Sequence, residues 1–412
     1  MRKASLGTLF LTVFLDLLGF GLVVPFLPGV ARDLGASDLV ATLVASSYSL
    51  MQFLCIPLWG RLSDRVGRRP VLLWSIAASV AGMTLLGFAR SLPLLFLARI
   101  WSGMATANIA VAQAYIADVT TPETRARGMG LIGMAFGLGF IIGPFVGGEL
   151  GRFEVLGQEG TLAAFAAAGL SLINLILAAF TLPESLRPES RNPTGRRKVF
   201  DLEAFRQVVR QPGIGVAMWI SFIALFWFSG MEVTFRLFNE DAFAMGIAET
   251  GRVFAFLGLI VVIVQGGLIH RLSRRFGEVR LVRVGLFSMS LGFVLLAVSP
   301  DVGVWFLYVA SGWVAVGNGL YSPTLTSYTS RQATLQTQGA ALGVVQSMSA
   351  LARVLGPLCG GLLYEFFGKR APYTVGAVGL LLAFVLAFRL IPLLPARAST
   401  PAHAVNLAQG SR

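Results

Sequence analysis

The chain has 412 residues, 55% of them hydrophobic and 13% charged, with 31 phenylalanines and a net charge of +13. So few charges in so apolar a sequence exclude a water-soluble globular domain. Cys55 and Cys359 are too few for a disulfide framework, and with His270 and His403 they offer no metal-ligand spacing; with no catalytic or phosphate-binding cluster, neither an enzyme, a metal nor a cofactor is expected.

About 20 apolar residues cross the roughly 30 Å of membrane hydrocarbon. Such stretches fall at roughly 6–30, 40–60, 71–89, 92–116, 128–150, 161–182, 213–237, 250–269, 280–298, 302–326, 339–363 and 371–394, which predicts an all-α protein of twelve transmembrane segments. Segment 1 is too long for a cleaved signal peptide and lacks a small-residue cleavage site. It carries Asp16 about ten residues in, roughly 15 Å from its start and near mid-membrane. An ionised carboxylate there costs about 2.5–3.5 kcal/mol, so it must face water, a cation or a protonation event. Asp16 is the leading candidate for a group that moves charge; the alternative is a structural ion pair. Arg99, early in segment 4, is its natural partner. Arg353, within segment 11, needs an acid or water. Glu232, late in segment 7, either faces the interior or pairs with Arg236 at the outer interface. Asn108, Gln113, Gln265, Asn318 and Gln346 are candidates for hydrogen bonds in a substrate cavity, and Phe226, Trp227, Phe228 and Trp313 for its aromatic walls.

The charges alternate along the chain. Arg61, Arg65, Arg68 and Arg69 lie between segments 2 and 3, and Arg125 and Arg127 between 4 and 5. Arg187, Arg191, Arg196, Arg197, Lys198, Arg206 and Arg210 separate segments 6 and 7; Arg271, Arg274, Arg275 and Arg280 separate 8 and 9. The intervening loops carry Asp33 and Asp38, or Glu149, Glu154 and Glu159. This is the positive-inside pattern, which places both termini in the cytoplasm and makes the basic surplus a matter of topology rather than of nucleic-acid binding. The apolar rhythm breaks once, over residues 183–211, where Pro183, Pro188 and Pro193, with Pro212 just beyond, punctuate a stretch dense in charges. The expected organisation is a six-helix half at 1–182, a cytoplasmic linker at 183–211 with a short amphipathic helix near 200–210, a second half at 212–394, and a cytoplasmic tail at 395–412.

The halves repeat. Gly143-Pro144-x-x-Gly147-Gly148 returns as Gly356-Pro357-x-x-Gly360-Gly361, an offset of 213 shared by Tyr115 with Tyr328, Thr121 with Thr334 and Gly130 with Gly343. Arg61-Leu62-Ser63-x-Arg65-x-Gly67 meets Arg271-Leu272-Ser273-x-Arg275-x-Gly277 at 210. Internal duplication of this kind is common in transporters. Gly139, Gly143 and Gly147, spaced by four, line one helical face and with Pro144 admit another helix closely at a bend; ordinary tight packing is the alternative. In Gly60-Arg61-Leu62-Ser63-Asp64-Arg65-Val66-Gly67-Arg68-Arg69-Pro70, Gly60 and Gly67 permit a tight reversal, Pro70 suits an early helical position, and Asp64 suits the positive end of a helix.

That loop resembles the signature of the major facilitator superfamily. With Leu15-Asp16-x-x-Gly19-x-Gly21 in segment 1, Arg99-x-x-x-Gly103 in segment 4 and the glycine face of segment 5, nearly the whole chain resembles its drug:proton antiporter branch. It is most similar to bacterial tetracycline exporters, down to Leu182-Pro183-Glu184-Ser185. The resemblance implies that Gly60, Asp64, Arg65, Gly67, Arg68 and Arg69 form a cytoplasmic gate, with Asp64 latching onto the helix start near Gln338–Gly339. It also implies that Gly139, Gly143, Pro144, Gly147 and Gly148 form an antiporter motif. It fails at Val261, which aligns with a histidine of those exporters, and over Leu281–Ser299, where their acid has no counterpart. The reading is a monomeric, proton-coupled exporter of lipophilic or amphipathic small molecules in the inner (plasma) membrane. It has protons, a small-molecule substrate and the bilayer as partners and no nucleic acid. The alternatives are a facilitator or symporter for a nutrient or lipid, and a non-transporting receptor or scaffold.

Overall fold

The computed structural model describes residues 6–106, 108–120, 122–186, 206–207, 209–211, 213–333 and 337–391, except the side chains at 108–109, 122–130, 133, 136 and 339. The 395–412 tail and most of the 183–211 linker, with most of its expected helix, lie outside the described residues.

Within them the regular structure is helical, apart from a single bridge between Val155 and Gln158. The helices are α1 Leu6–Val23, α2 Leu27–Asp33, α3 Asp38–Val66, α4 Arg68–Gly87, α5 Leu92–Ala105, α6 Asn108–Val119, α7 Pro122–Gly151 and α8 Thr161–Thr181. Then come α9 Ile214–Phe243, α10 Ile247–Ile263, α11 Ile269–Phe276, α12 Glu278–Val302, α13 Val304–Gln332, α14 Gln338–Phe367 and α15 Ala371–Leu386. Among the described residues, ten stretches are long and apolar enough to cross a membrane. Segments 5 and 10 are helical too, as α7 and α13; many side chains of the first lie outside the described residues, and Ser, Thr and Asn dilute the apolarity of the second.

Three segments depart from continuous helices. Segment 1 is interrupted at residues 24–26, between α1 and α2. Segment 4 is split into α5 and α6 at Thr106, whose φ of −77° and ψ of 77° leave the helical region. Segment 8 runs seven residues past its expected end, as α10 and α11 joined by a π turn at Val264–Leu268. Gln265, Gly266 and Gly267 occupy that turn, and such insertions often mark functional positions.

Matching contacts bear out the repeat. α1 packs on α7 as α9 packs on α14. A Cβ on Gly143 would lie 2.7 Å from the Gly21 Cα, and one on Gly360 would lie 3.0 Å from the Gly230 carbonyl oxygen. Tyr115 and Tyr328 are both buried, and each hydroxyl meets the chain just beyond a last helix, Tyr115 donating to the Pro183 carbonyl and Tyr328 accepting from the Ile391 N–H.

The last glycine of each copy does something different from the one before it. Gly147 faces the Leu22 backbone within residues 6–186, whereas Gly148 faces Gly251, its added Cβ 2.9 Å from that Cα. Likewise Gly360 faces Gly230, whereas Gly361 faces Thr42. Of each Gly-Gly pair, one residue packs its own group of helices and the next joins the two groups, at α7–α10 and α3–α14.

These contacts separate two kinds of glycine. Gly147→Ala puts a methyl on the Leu22 carbonyl and should cost about 1–3 kcal/mol of overpacking. Gly60→Ala enters open space, where no atom lies within 4 Å, and should be neutral or gain about 0.5–1 kcal/mol. The expected result is a lowered thermal midpoint in detergent for the first variant and an equal or raised one for the second; equal losses would contradict this packing.

Candidate functional site

Tyr48, near the middle of α3, was not singled out by the sequence, yet the interior charges gather around it. It is buried, and its hydroxyl donates to Thr106 Oγ1 at 3.0 Å, at the break between α5 and α6. The Arg99 guanidinium lies 4.4 Å from the Tyr48 ring centroid, and Phe20 lies 5.3 Å from it. Both Asp16 and Arg353 act electrostatically on Tyr48. Arg353 also acts on Glu232 and on Tyr321. Asp16, Tyr48 and Arg99 come from α1, α3 and α5; Glu232, Tyr321 and Arg353 come from α9, α13 and α14. Ionisable residues from both groups of helices therefore bear on the surroundings of Tyr48.

This corrects the expected partners. Arg99 rests on the Tyr48 ring rather than on the Asp16 carboxylate. It is only 3% exposed, and its Nε and Nη1 have no hydrogen-bond partner. An unsatisfied buried donor costs about 1–3 kcal/mol or more, against about 0.5–2 kcal/mol recovered over an aromatic face, so Arg99 retains unspent binding capacity. Glu232 does not pair with Arg236, which is buried with its Nη1 on the Met245 carbonyl and 3.0 Å from Glu240. Gln265, Asn318 and Gln346 carry no hydrogen bond among the described residues; Gln346 is exposed two turns before Arg353 on the same face of α14. Gln113 is exposed on α6, and Asn108 begins that helix with its side chain outside the described residues. Trp227 is no cavity wall: it packs against Gly376 and Gly379 of α15.

One face of the bundle, carrying the 33–38, 152–160 and 367–371 turns, is sealed. Arg32 makes two 2.8 Å hydrogen bonds to the Asp241 carboxylate and also holds Asp38. Tyr364 donates to Asp241 at 2.6 Å, Lys369 to the Asp241 carbonyl at 2.9 Å, and the Leu39 N–H to Glu365 at 2.7 Å. Arg252 and Glu149 add a 2.8 Å pair across α7–α10. On the opposite face, which carries the arginine-rich loops, Gly60 on α3 and Gly343 on α14 have no atom within 4 Å of an added Cβ.

The arginine-rich loop is built differently from its expected form. Gly67 at φ +121° is the hinge between α3 and α4, whereas Gly60 lies inside α3 in open space. Glu184, rather than Asp64, occupies a helix N-terminus: its carboxylate accepts from the Arg68 N–H at 2.8 Å and the Arg69 N–H at 3.2 Å. Asp64 instead pairs with Arg68 at 2.6 Å, one turn on. Arg68 also holds Asp118 at 3.1 Å, and Arg69 donates to the Ala179 carbonyl, while Arg65 is exposed. In the second copy Gly277 is followed by buried Glu278, paired with Arg331 at 2.5 Å.

The seal can be tested at Asp241. A partly exposed charged contact contributes about 0.5–1.5 kcal/mol net, which is roughly 2- to 10-fold in a two-state ratio. With Cys55 and Cys359 removed and Phe20→Cys introduced beside Tyr48, Asp241→Asn should speed labelling by an impermeant thiol reagent added from the sealed side by about that factor. Unchanged labelling would show that Asp241 does not hold the seal.

Comparison with known proteins fits this architecture. The family model of the Major Facilitator Superfamily matches residues 9–353 and again 268–409. The chain is 34% identical over 357 residues to the class C tetracycline resistance protein of Escherichia coli, covering 84% of this chain and 86% of that one. It is 30% identical to multidrug resistance protein 1 of Bacillus subtilis (strain 168), covering 88% and 90%. The crystal structure of the human organic anion transporter MFSD10 (TETRAN) superimposes with a TM-score of 0.71 at 27% identity, covering 94% of this chain and 99% of that one. The chain belongs to the Major Facilitator Superfamily, and is a membrane transporter of small molecules rather than an enzyme.

Proposed function

We propose that the chain is a proton-coupled exporter of lipophilic or amphipathic small molecules that works by alternating access between two six-helix halves. It acts as a monomer in the inner (plasma) membrane, with the basic loops and both termini in the cytoplasm. On this reading the sealed face is the outer one and the described conformation opens to the cytoplasm. What supports it is the presence of charged residues within the membrane-spanning helices, Asp16 and Arg99 in α1 and α5 and Glu232 and Arg353 in α9 and α14, with Asp16 and Arg353 both acting on Tyr48. Charges there are costly, and in membrane proteins they mark ion and proton pathways. Protonating one of them changes the charge balance between the halves, which is the differential interaction an alternating cycle needs. Asp64 exchanges Arg68 for the start of α14 when the cytoplasmic face closes. Tetracycline and multidrug resistance proteins among the relatives support the substrate class.

One charge moved through 100 mV is worth about 2.3 kcal/mol, ample to drive such a cycle. In everted vesicles with an imposed pH gradient, the wild type should expel an amphipathic dye and lose that activity to a protonophore, and Asp16→Asn should lose it while still folding and inserting. Full gradient-driven efflux by Asp16→Asn would remove its role. A second reading, transport of an organic anion, is favoured by the two unpartnered nitrogens of Arg99; it predicts that anionic dyes outcompete cationic ones in the same assay.

Val261 leads to a further prediction about substrate. It lies on α10 against Gly319, where a valine offers no polar contact. In an efflux-deficient host the chain should confer less resistance to tetracycline than to other amphipathic drugs. Tetracycline resistance exceeding the rest would show that the histidine is dispensable.

A further inference from the structure

On the flank of residues 6–186, away from the charged interior, α3, α4 and α5 enclose a groove of about 720 Å³. That is within the range of small-molecule sites. Its walls are Trp59, Leu62 and Val66 of α3 and Trp101 and Met104 of α5, and its floor is Ala77, Ala78 and Ala81 of α4. Trp74 stands at its edge, 72% exposed. α4 packs on α3, α5, α6 and α8, all within residues 6–186, so this flank faces the bilayer.

Three features select an occupant. The indole N–H groups of Trp59 and Trp101 are turned away to the Met104 and Ala78 carbonyls, at 2.6 and 2.9 Å, so these walls present ring faces and methyls, with the Trp74 indole at the edge. Between Pro70 and Ala81, α4 climbs about 16 Å, which is about half of the roughly 30 Å hydrocarbon thickness and so the depth of one leaflet. At the rim, Arg65 is exposed and has no ion pair or hydrogen bond among the described residues, unlike its neighbours Arg68 and Arg69. It follows Leu62 by three residues, on the same face of α3, and Arg61 lies one turn before it.

We propose that this groove holds an acyl chain of an anionic phospholipid from the leaflet on the basic face, with the lipid phosphate on Arg65. The apolar trough accepts the chain, and the free guanidinium accepts the phosphate where the chain emerges, a bidentate match. Zwitterionic lipids fit the trough but gain less at the rim. The occupant is a resident lipid, distinct from the transported molecule, and its binding does not rest on the proton-coupled reading.

The test is native mass spectrometry of the full-length protein in detergent, titrated with phosphatidylglycerol or phosphatidylcholine of the same acyl chains. The wild type should retain phosphatidylglycerol at least threefold better. Arg65→Gln should bring the two lipids to parity, Arg65→Lys should keep the preference, and Arg274→Gln on the other basic loop should leave it intact. Ala81→Leu, which fills the exposed floor, should lower retention of both lipids at an unchanged thermal midpoint. Equal retention by the wild type, or an undiminished preference in Arg65→Gln, would overturn the proposal. So would an Ala81→Leu variant that keeps its lipid but loses an amphipathic drug, since the groove would then be a substrate portal.

Discussion

Helices in hydrocarbon gain little from burying apolar side chains against one another, because the lipid is as apolar as they are. What remains is how closely backbones approach and which polar groups they bring together. In this protein close approach is rationed by glycine. Gly143 on Gly21 and Gly360 on Gly230 bind each group of helices internally, and Gly148 on Gly251 and Gly361 on Thr42 bind the groups to each other. The joining contacts run along α7–α10, where Gly258 also meets Ile141 and Gly137 meets Val262, and along α3–α14. Nearer the basic loops, by contrast, Gly60 and Gly343 look into open space.

That imbalance has an energetic consequence. A junction of broad interdigitating side chains would be too costly to part in each cycle, whereas a seam of glycine contacts with a handful of ionic ones is not. The Arg32–Asp241 group adds directional hydrogen bonds where water still reaches, so each contributes modestly and can be exchanged. The interior charges stand below this seal. Tyr48 ties them together: its ring carries Arg99, its hydroxyl reaches the Thr106 break, and Asp16 and Arg353 act on it from opposite groups. A change in charge at Asp16 or Glu232 is thus felt at the junction, which is the link between proton and conformation in the proposed cycle.

Much of this was legible in the sequence because membrane helices are long, and the positions of charges and glycines along them survive translation into structure. Asp16, the repeated Gly-Gly pairs and the arginine-rich loop could all be read from spacing. Rotation about the helix axis and the identity of the facing helix could not. Arg99 and Asp16 have compatible depths, yet Arg99 turns to Tyr48, and nothing in a run of apolar and hydroxyl residues distinguishes Tyr48 from any other aromatic. Glu232 and Arg236 share a helix face on paper, but Arg236 finds Glu240 and a carbonyl. Arg32 and Asp241 are 209 residues apart, a pairing no local pattern announces. Glu184 was visible only as part of a resemblance; its capping of α4 required the fold. Asp64 was expected at the start of α14, and pairs with Arg68 on the next turn.

The central claim is that the halves are held at the sealed face and parted at the basic face, and that charge in the interior sets the balance. Double electron–electron resonance tests it directly, with spin labels at Asp33 and Glu249 on the sealed face and at Val66 and Ser347 on the basic face. The account predicts a short, narrow distance for the first pair and a long one for the second in the resting protein, with both populations changing in opposite directions on acidification and neither changing in Asp16→Asn. Distances that stay fixed across pH in the wild type, or that shift equally in Asp16→Asn, would contradict it.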